Sequence, residues 1–452
     1  MGNYQGYQKY QDSGVEWLGD IPEHWEVKHL KNVASITRGA ILRPVNDPSY
    51  FDENGEWLYL NISDVTKCEK FLYTAELKLS DIGSKKSARV LENNLILTAS
   101  ATIGIPIINK VKVCIHDGFI AFKEIKTNLF FLYYVLLNKS IYSAMGKTNT
   151  QKNIYLDEVK IVKIGFPPLD EQQKIAQFLD YKTKQIDELI RKKETLIEKL
   201  NEKRTALISH AVTKGLDSSV PMKDSGIEWL GNIPKHWTIL KLGRLCDVTK
   251  LTGFEYTKKW ETDPNGEIIA LRGFNIKNNQ LILNDVERIT SELSNELLRS
   301  KLYAGDIVFP CTGTLGEGAI IDDDNKYHIN QNIAKISPVK NIDRKFLLLS
   351  LCSKNMKYQI ELYNSSGLQP VLLIGTIRSL IISIPDFLEQ KQIAQYLDKK
   401  TTQIDQQKAK IQEAIELLKE YRTSLITNAV TGKIDVSQIA IPSPQKPQPQ
   451  KG

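Results

Sequence analysis

The sequence predicts an α+β chain that is built twice. Two β-rich globular domains are separated by two long antiparallel, coiled-coil-like helices, with an internal two-fold repeat. Three observations carry this. First, residues 169–217 recur near the C-terminus as residues 388–435. Glu171 maps to Glu389, Asp180 to Asp398, Asp187 to Asp405, Arg204 to Arg422 and Asp217 to Asp435, all at an offset of 218 (389 minus 171). Second, DSGVEWLGDIPEHW, Asp12 to Trp25, returns as DSGIEWLGNIPKHW, Asp224 to Trp237, at an offset of 212 (224 minus 12). Third, the stretches between these markers keep their order of strand-like and helical runs while their residues diverge. Self-similarity on this scale defines the architecture before any local reading.

The recurring 169–217 stretch reads as a long helix. In its second copy Ile404, Ile411, Leu418 and Leu425 repeat every seven residues, with Lys408, Ile415, Arg422 and Ala429 interleaved. The first copy has Ile186, Ile190, Lys193, Ile197, Leu200, Arg204, Leu207 and Ala211. An apolar period of 3.5 marks a coiled-coil seam, and two such helices in one chain are expected to pair.

The remaining segments follow in order. Residues 1–25 form a polar arm and a first clasp, in which Trp17, Leu18, Ile21 and Trp25 are held by turns at Gly14, Gly19 and Pro22. Residues 26–166 form the first globular domain, with strand-like runs at 57–62, 94–99, 105–115 and 118–125 and a buried helix at 130–138. Pro167 and Pro168 end its last strand, and Asp170 is placed to cap the long helix of 167–217. A linker and second clasp occupy 218–237. The second globular domain, 238–384, mirrors the first: 267–276, 305–321 and 345–353 match its strands and helix, and 371–387 leads into the second long helix, 385–435. The Pro/Gln-rich tail, 436–452, is expected to be extended.

Composition bounds the function. The chain has 452 residues, 41% apolar and 25% charged, as an ordinary globular protein does. No run of about 18 apolar residues predicts a membrane span. The N-terminus has no apolar signal core, and Gly6 stands where a myristoylation motif requires Ser or Thr. Five scattered cysteines, with no CxxC or Cys/His cluster, fit a reducing cytoplasm and argue against structural zinc. Net charge of +7 and a pI near 8.8 lean towards a polyanionic partner.

Catalytic motifs are absent or fail. Gly146-Lys147-Thr148 ends like a phosphate-binding loop, but Ile141 stands where its first glycine is needed. Gly165-Phe166-Pro167-Pro168-Leu169 lacks the amide or acid and the aromatic of the amino-methyltransferase motif. Pro385-Asp386 with Glu389 and Lys391 is too closely spaced for a nuclease site, and Gln173 replaces the lysine in the other copy. His24 and His236 occupy equivalent places and are expected to pack beside tryptophan, since no partner acid or nucleophile repeats with them. Gly104 and Gly316 are expected turn glycines. Ser100, Thr102, Thr312 and Thr314 beside them could face a ligand or cap a turn. Arg38, Arg43, Lys85, Lys86 and Arg89 in the first domain lie in loop-like stretches, as do Lys258, Lys259, Arg272, Arg288, Arg299 and Lys301 in the second. Such groups suit phosphate neutralisation or guanine-edge contacts.

The clasp SGVEWLGDIPEHW, the PPLDEQQKIAQFLD start of a long helix and the duplication of both resemble the specificity subunit of type I restriction-modification systems over nearly the whole chain. The second half departs from the pattern: IPDFLEQ replaces Pro-Pro-Leu-x-Glu-Gln, and SGLQPVLL stands where the first half has TNTQKNI. The resemblance implies a non-catalytic reader of double-stranded DNA whose two target-recognition domains each read half of a split sequence. It implies two modification (adenine methyltransferase) subunits and two restriction subunits as partners. S-adenosylmethionine, ATP and Mg would then belong to those partners, with no cofactor in this chain. A helix from about Gln185 to Ala211 spans on the order of 40 Å, comparable with the ~34–36 Å between half-sites one turn apart. Phe178, Leu189, Leu196 and Leu417, apolar and outside the seam, are the candidate docking residues for modification subunits. The competing class is a coiled-coil scaffold without a DNA role, which does not account for two β-rich domains that keep element order and diverge in their loops.

Overall fold

The computed structural model describes residues 4–44, 47–142, 153–363, 371–437 and 439–440. Gly146-Lys147-Thr148, the TNTQK and SGLQP segments and the tail from Ile441 lie outside the described residues. The chain forms two compact units, residues 1–193 with 413–452, and residues 194–412.

In the first unit, Glu26–His29 pairs antiparallel with Lys163–Phe166, so the chain enters and leaves the globular body side by side. The body holds two sheets. One has the order Ser35–Arg38, Phe119–Lys123, Leu95–Thr98, Pro106–Asn109, Phe71–Leu72; the other Leu77–Leu79, Trp57–Leu60, Val113–Ile115, Ala88–Val90. Leu95–Thr98 and Pro106–Asn109 are buried at every residue, as continuous apolar runs between covered faces are. The expected strand at 105–115 is two strands, one in each sheet. Buried Asn109 ends the first of them. Its side chain accepts from Asn94 N (3.0 Å) and donates to Leu91 O (2.7 Å) and Val111 O (2.9 Å), satisfying backbone that the break would leave unpaired. The expected apolar helix is Leu129–Leu137, capped by Asn128.

The second unit repeats the plan. Thr238–Lys241 pairs with Ile381–Ile384. Its main sheets run Cys246–Lys250, Ile333–Pro338, Ile307–Pro310, Ala319–Ile320 and Glu287–Ile289, Ile268–Leu271, Tyr327–Ile329. The parallel pair Trp57–Leu60 with Val113–Ile115 has its counterpart in Ile268–Leu271 with Tyr327–Ile329. Asp343 caps the apolar helix Arg344–Leu351.

The long helices are Leu169–Lys214 and Phe387–Val430. Asp170 lies inside the first turn rather than at the cap. In the second helix Asp386 caps, accepting from Leu388 N and Glu389 N at 2.9 Å. The Glu-Gln pair that opens each helix divides two tasks. Glu171 accepts from Trp25 Nε1 (3.0 Å) and contacts His24 Nε2 (2.8 Å); Glu389 does the same with Trp237 (3.1 Å) and His236 (2.7 Å). The two histidines therefore do share a repeated partner acid, 147 and 153 residues away, which local sequence could not reveal. Gln172 accepts from Asn128 N (2.9 Å) and donates to Pro167 O (2.8 Å), while Gln390 accepts from Asp343 N (2.9 Å) and donates to Pro385 O (3.0 Å). Each glutamine thus ties a helix start to the cap of the apolar helix in its own unit.

Helix pairing is antiparallel in both units. Arg422 grips Asp187 with Nε at 2.9 Å and Nη2 at 3.2 Å in the first. Arg204 approaches Asp405 at 3.9 Å in the second. Each aspartate thus meets the arginine of the other copy, as a two-fold repeat requires. Ile186, Ile190, Ile404, Ile415 and Leu425 are buried along the seam. The globular bodies are tied on by Lys70, which pairs with Asp180 under four aromatic rings, and by Lys345, 3.1 Å from the equivalent Asp398.

Glu171→Ala would leave the buried Trp25 indole N–H without an acceptor, at a cost of about 1–3 kcal/mol. Thermal unfolding followed by circular dichroism should show a lower first transition. Glu389→Ala should lower it less, because the Glu389 side chain is 25% exposed against 11% for Glu171.

Candidate nucleic-acid interface

In the first unit, two of the candidate cations meet at Tyr50, Lys86 through its side chain and Arg43 through its backbone carbonyl. The tyrosine hydroxyl donates to Arg43 O (2.7 Å), and Lys86 Nζ donates to that hydroxyl (2.7 Å) from above the ring. Lys85 and Lys86 end the helix Asp81–Lys86, where cations are favoured by the backbone dipoles. Among the described residues Lys85 pairs only with Asp81, at 3.9 Å on an exposed surface, so it remains available to a phosphate. Arg38 ends the strand Ser35–Arg38, with Nε donating to Asp117 O (2.7 Å). Its terminal nitrogens have no partner among the described residues. Beside it lie His116 and Ser100: a Cβ at Gly118 would come within 2.7 Å of Ser100 Oγ and within 2.5 Å of the His116 ring. Thr102 is exposed at the tip of the following turn, which Gly104 closes at φ +80°.

The second unit has its own candidates. Lys258 and Lys259 end the helix Gly253–Lys259, and Lys259 pairs with Glu296. Lys258 and Arg299 are exposed. Thr312 and Thr314 sit on a turn with Gly313 and Gly316 at φ +74° and +75°, and Thr314 Oγ1 reaches Gly273 O at 3.5 Å. This brings the turn onto Arg272–Asn275. There buried Asn275 holds the loop through Ile282 O (2.9 Å) and Asp285 O (2.7 Å), and Phe274 projects 52% exposed.

Several expected contacts are spent inside the chain. Arg89 donates to Ser84 O (3.1 Å) and Oγ (2.6 Å) and lies over Trp57. Arg272 is neutralised by Glu287 (2.8 Å) and Asp285 (3.5 Å) and stacks on Phe274. Arg288 donates to Gly266 O (3.2 Å), and Lys301 is buried with its ammonium on Asn295 (2.7 Å). These four act as internal struts rather than free cations. Sequence alone could not separate them from Arg38, Arg43, Lys85 and Lys258, because their acceptors are backbone atoms or side chains brought near by turns. His116 and Phe274 were not anticipated; neither sits in a pattern that marks it.

On the helices, Leu189, Leu196 and Leu417 are exposed as expected, and Leu189 and Leu417 line a groove of about 930 Å³ in the first unit. Phe178 is not part of any open face. It is fully buried, with Tyr4 edge-on to its ring. Among the described residues, no group of three or more His, Cys, Asp or Glu side chains is placed to hold a metal ion, and no helix is long and apolar enough to cross a membrane.

A family model, the type I restriction modification DNA specificity domain, matches the chain twice, over residues 22–199 and 234–417. The chain belongs to that family. Among its relatives is the type I restriction enzyme MjaVIII specificity subunit of Methanocaldococcus jannaschii, 25% identical over 435 residues, spanning 93% of this chain and 95% of the relative. Another is the EcoBI specificity subunit of Escherichia coli, 23% identical over 318 residues, spanning 69% of this chain and 67% of the relative. The fold is also that of a chain from a structure described as the structural basis underlying complex assembly and conformational transition of the type I R-M system. That match has a TM-score of 0.67 at 15% identity, covering 91% of this chain and 98% of the other. Each specificity-domain match takes in one globular body and most of the long helix after it.

One group near the second candidate surface couples stability to pH. His328 is fully buried and in ring contact with Trp260. Burial pushes its imidazole below the usual value, outweighing the carbonyls of Ile329 and Leu297 that face its two nitrogens. The unfolded state then takes up the proton first. Stability is fully present above pH ~6.5 and is lost as pH falls through the depressed folded value. Urea midpoints at pH 7.5 and 5.5 should differ in the wild type and converge in His328→Gln.

Proposed function

We propose that this chain is the DNA sequence-recognition subunit of a type I restriction-modification complex. Each globular body reads one half of a bipartite target. The long helices set the spacing between the halves and dock the methyltransferase subunits, and methyl transfer and cleavage belong to partner chains. The observation that carries this reading is the double match to the DNA specificity domain on two bodies that keep their element order and differ in their loops. Differing loops on a common scaffold suit the reading of two different half-sites. The positive net charge and the exposed cations at Arg43, Lys85 and Lys258 supply a non-specific attraction to phosphate. Ser100, Thr102, Thr312 and Thr314, at strand ends, supply hydroxyls that suit base edges. Phe274, exposed on a braced loop, offers an apolar surface beside Thr314.

Two modification and two restriction subunits fit the repeat, because a pseudo-two-fold chain offers related surfaces to two copies of a partner. S-adenosylmethionine would be held by the modification subunits, and ATP and Mg would serve the restriction subunits. The cytoplasm is the compartment in which such a complex meets DNA. A scaffold without a DNA role would use the helices equally well, but it leaves two matched specificity domains with nothing to read.

Co-expression with the cognate modification subunit, followed by a genome-wide map of methylated adenines, should return a split motif with a fixed non-specific gap. Exchange of residues 26–166 for another such domain should change one half of the motif and leave the other. A scaffold would produce no new methylation and no DNA binding. Lys85→Ala with Lys86→Ala should weaken binding across all sequences and flatten the dependence of log K on log salt by about 1.8, if both touch phosphate. Leu189→Asp with Leu417→Asp should abolish co-purification of the modification subunit; full retention would remove the groove from the docking surface.

A further inference from the structure

The N-terminal arm covers a site in the first unit whose counterpart in the second unit is only partly covered, by the linker at Gly215. Tyr4 lies edge-on to Phe178, with ring centroids 5.3 Å apart. Tyr7 stands against His24 and Trp25 (5.6 and 6.1 Å), and its hydroxyl donates to Glu171. Tyr10 donates to Gly432 O at 3.1 Å, and Asp435 N donates to Gln5 O at 2.8 Å. Beneath the arm Phe178 is fully buried and Glu171 is 9% exposed.

The repeat supplies a counterpart for each host residue. Glu171, Phe178, His24 and Trp25 correspond to Glu389, Tyr396, His236 and Trp237. The fork on the glutamate is retained, with Trp237 at 3.1 Å and His236 at 2.7 Å. The arm is not retained. Tyr4, Tyr7 and Tyr10 correspond at the clasp offset to Leu216, Ser219 and Met222. Leu216 and Met222 are 45% and 41% exposed, and Ser219 is turned back onto Asp217 (2.9 and 2.7 Å). The cause is the chain path: one short linker here joins helix to clasp, whereas the first clasp is met by two separate terminal segments. Tyr396 is therefore 36% exposed where Phe178 is covered. Among the described residues Glu389 Oε1 accepts one donor, Trp237, where Glu171 Oε1 accepts two.

We propose that the Glu389–Tyr396 face of the second unit is a docking site for an extended, tyrosine-bearing segment of another protein chain, which takes the place that the arm takes in the first unit. One tyrosine hydroxyl donates to Glu389 Oε1. A second aromatic ring, three residues before it as Tyr4 is before Tyr7, packs edge-on to Tyr396. A charged acceptor buried under an aromatic strap excludes segments that lack a donor at that spacing.

The test is a fluorescence-anisotropy titration of a labelled peptide, YQGYQKYQD (residues 4–12), onto the full chain. Saturable binding with one peptide per chain is expected. Tyr396→Ala, a substitution at an exposed residue, should weaken it about tenfold or more, as should Glu389→Gln. A peptide with phenylalanine in place of its second tyrosine should lose a similar factor. Glu171→Gln should leave the affinity unchanged. Three results would overturn the proposal: no saturable binding, binding indifferent to Tyr396→Ala and Glu389→Gln, or binding lost on Glu171→Gln, which would mean that the peptide merely displaces the arm. The DNA reading is unaffected by any of these results.

Discussion

A glutamate in the first turn of each long helix is the constraint on which both units rest. Glu171 and Glu389 each hold an indole and an imidazole from a clasp more than 140 residues earlier in the chain. The next residue, Gln172 or Gln390, holds the start of the apolar helix at the edge of the globular body. Two adjacent side chains thus fix three elements against each other: clasp, body and long helix. Glu171 is buried and its oxygens are filled by the clasp, so withdrawal of the clasp would strip a charge of its donors. The body's first and last strands, paired beside the clasp, then have little freedom to swing relative to the helix. A rigid mount of this kind is what a sequence-reading body needs, since base contacts are selective only when their donors are held in place.

The repeat also explains why the helices pair as they do. With Asp187 equivalent to Asp405 and Arg204 to Arg422, a parallel alignment in register would set like charges beside each other. The antiparallel arrangement sets each aspartate against an arginine, which favours one register over its neighbours. The geometry is unequal. Arg422 makes a two-pronged contact with Asp187, whereas Arg204 stands 3.9 Å from Asp405 with its buried Nε unpartnered. The two halves have drifted in side-chain detail, but their backbone plan is common.

Much of this was legible in the sequence. The duplication, the long helices, the apolar helices and most strands follow from periodicity and offset. The same information placed Gly104 and Gly316 at turns, and both take positive φ. The failures have a common origin. His24 looked unpartnered because its acid lies across a whole domain. Phe178 looked like an outward-facing residue because the helical pattern cannot register an arm from the N-terminus folding over it. Arg89, Arg272, Arg288 and Lys301 looked like free surface cations because the groups that absorb them are backbone carbonyls, hydroxyls, an amide and acids brought near by turns. Local pattern gives the face of an element; what covers that face depends on the path of the chain.

That distinction bears on how the chain would engage DNA. Arg272 and Lys259 are paired with acids from within and Arg89 is spent on Ser84 and Trp57, so the candidate cations left for phosphate are Arg38, at the end of its strand, Arg43 and Lys85 in one unit, and Lys258 on the Gly253–Lys259 helix and Arg299 in the other. The loops themselves present hydroxyls, a half-buried histidine and an exposed phenylalanine. On the proposed reading, most of the phosphate attraction would fall on elements other than those that discriminate bases, with Arg38 as the point where the two meet. Charge can hold each body on the duplex without deciding the sequence, and the loops can change without loss of that hold. A protein whose two bodies must acquire different targets while keeping one helix frame gains from such a separation, because a substitution in a reading loop leaves both the electrostatic grip and the glutamate mount as they were.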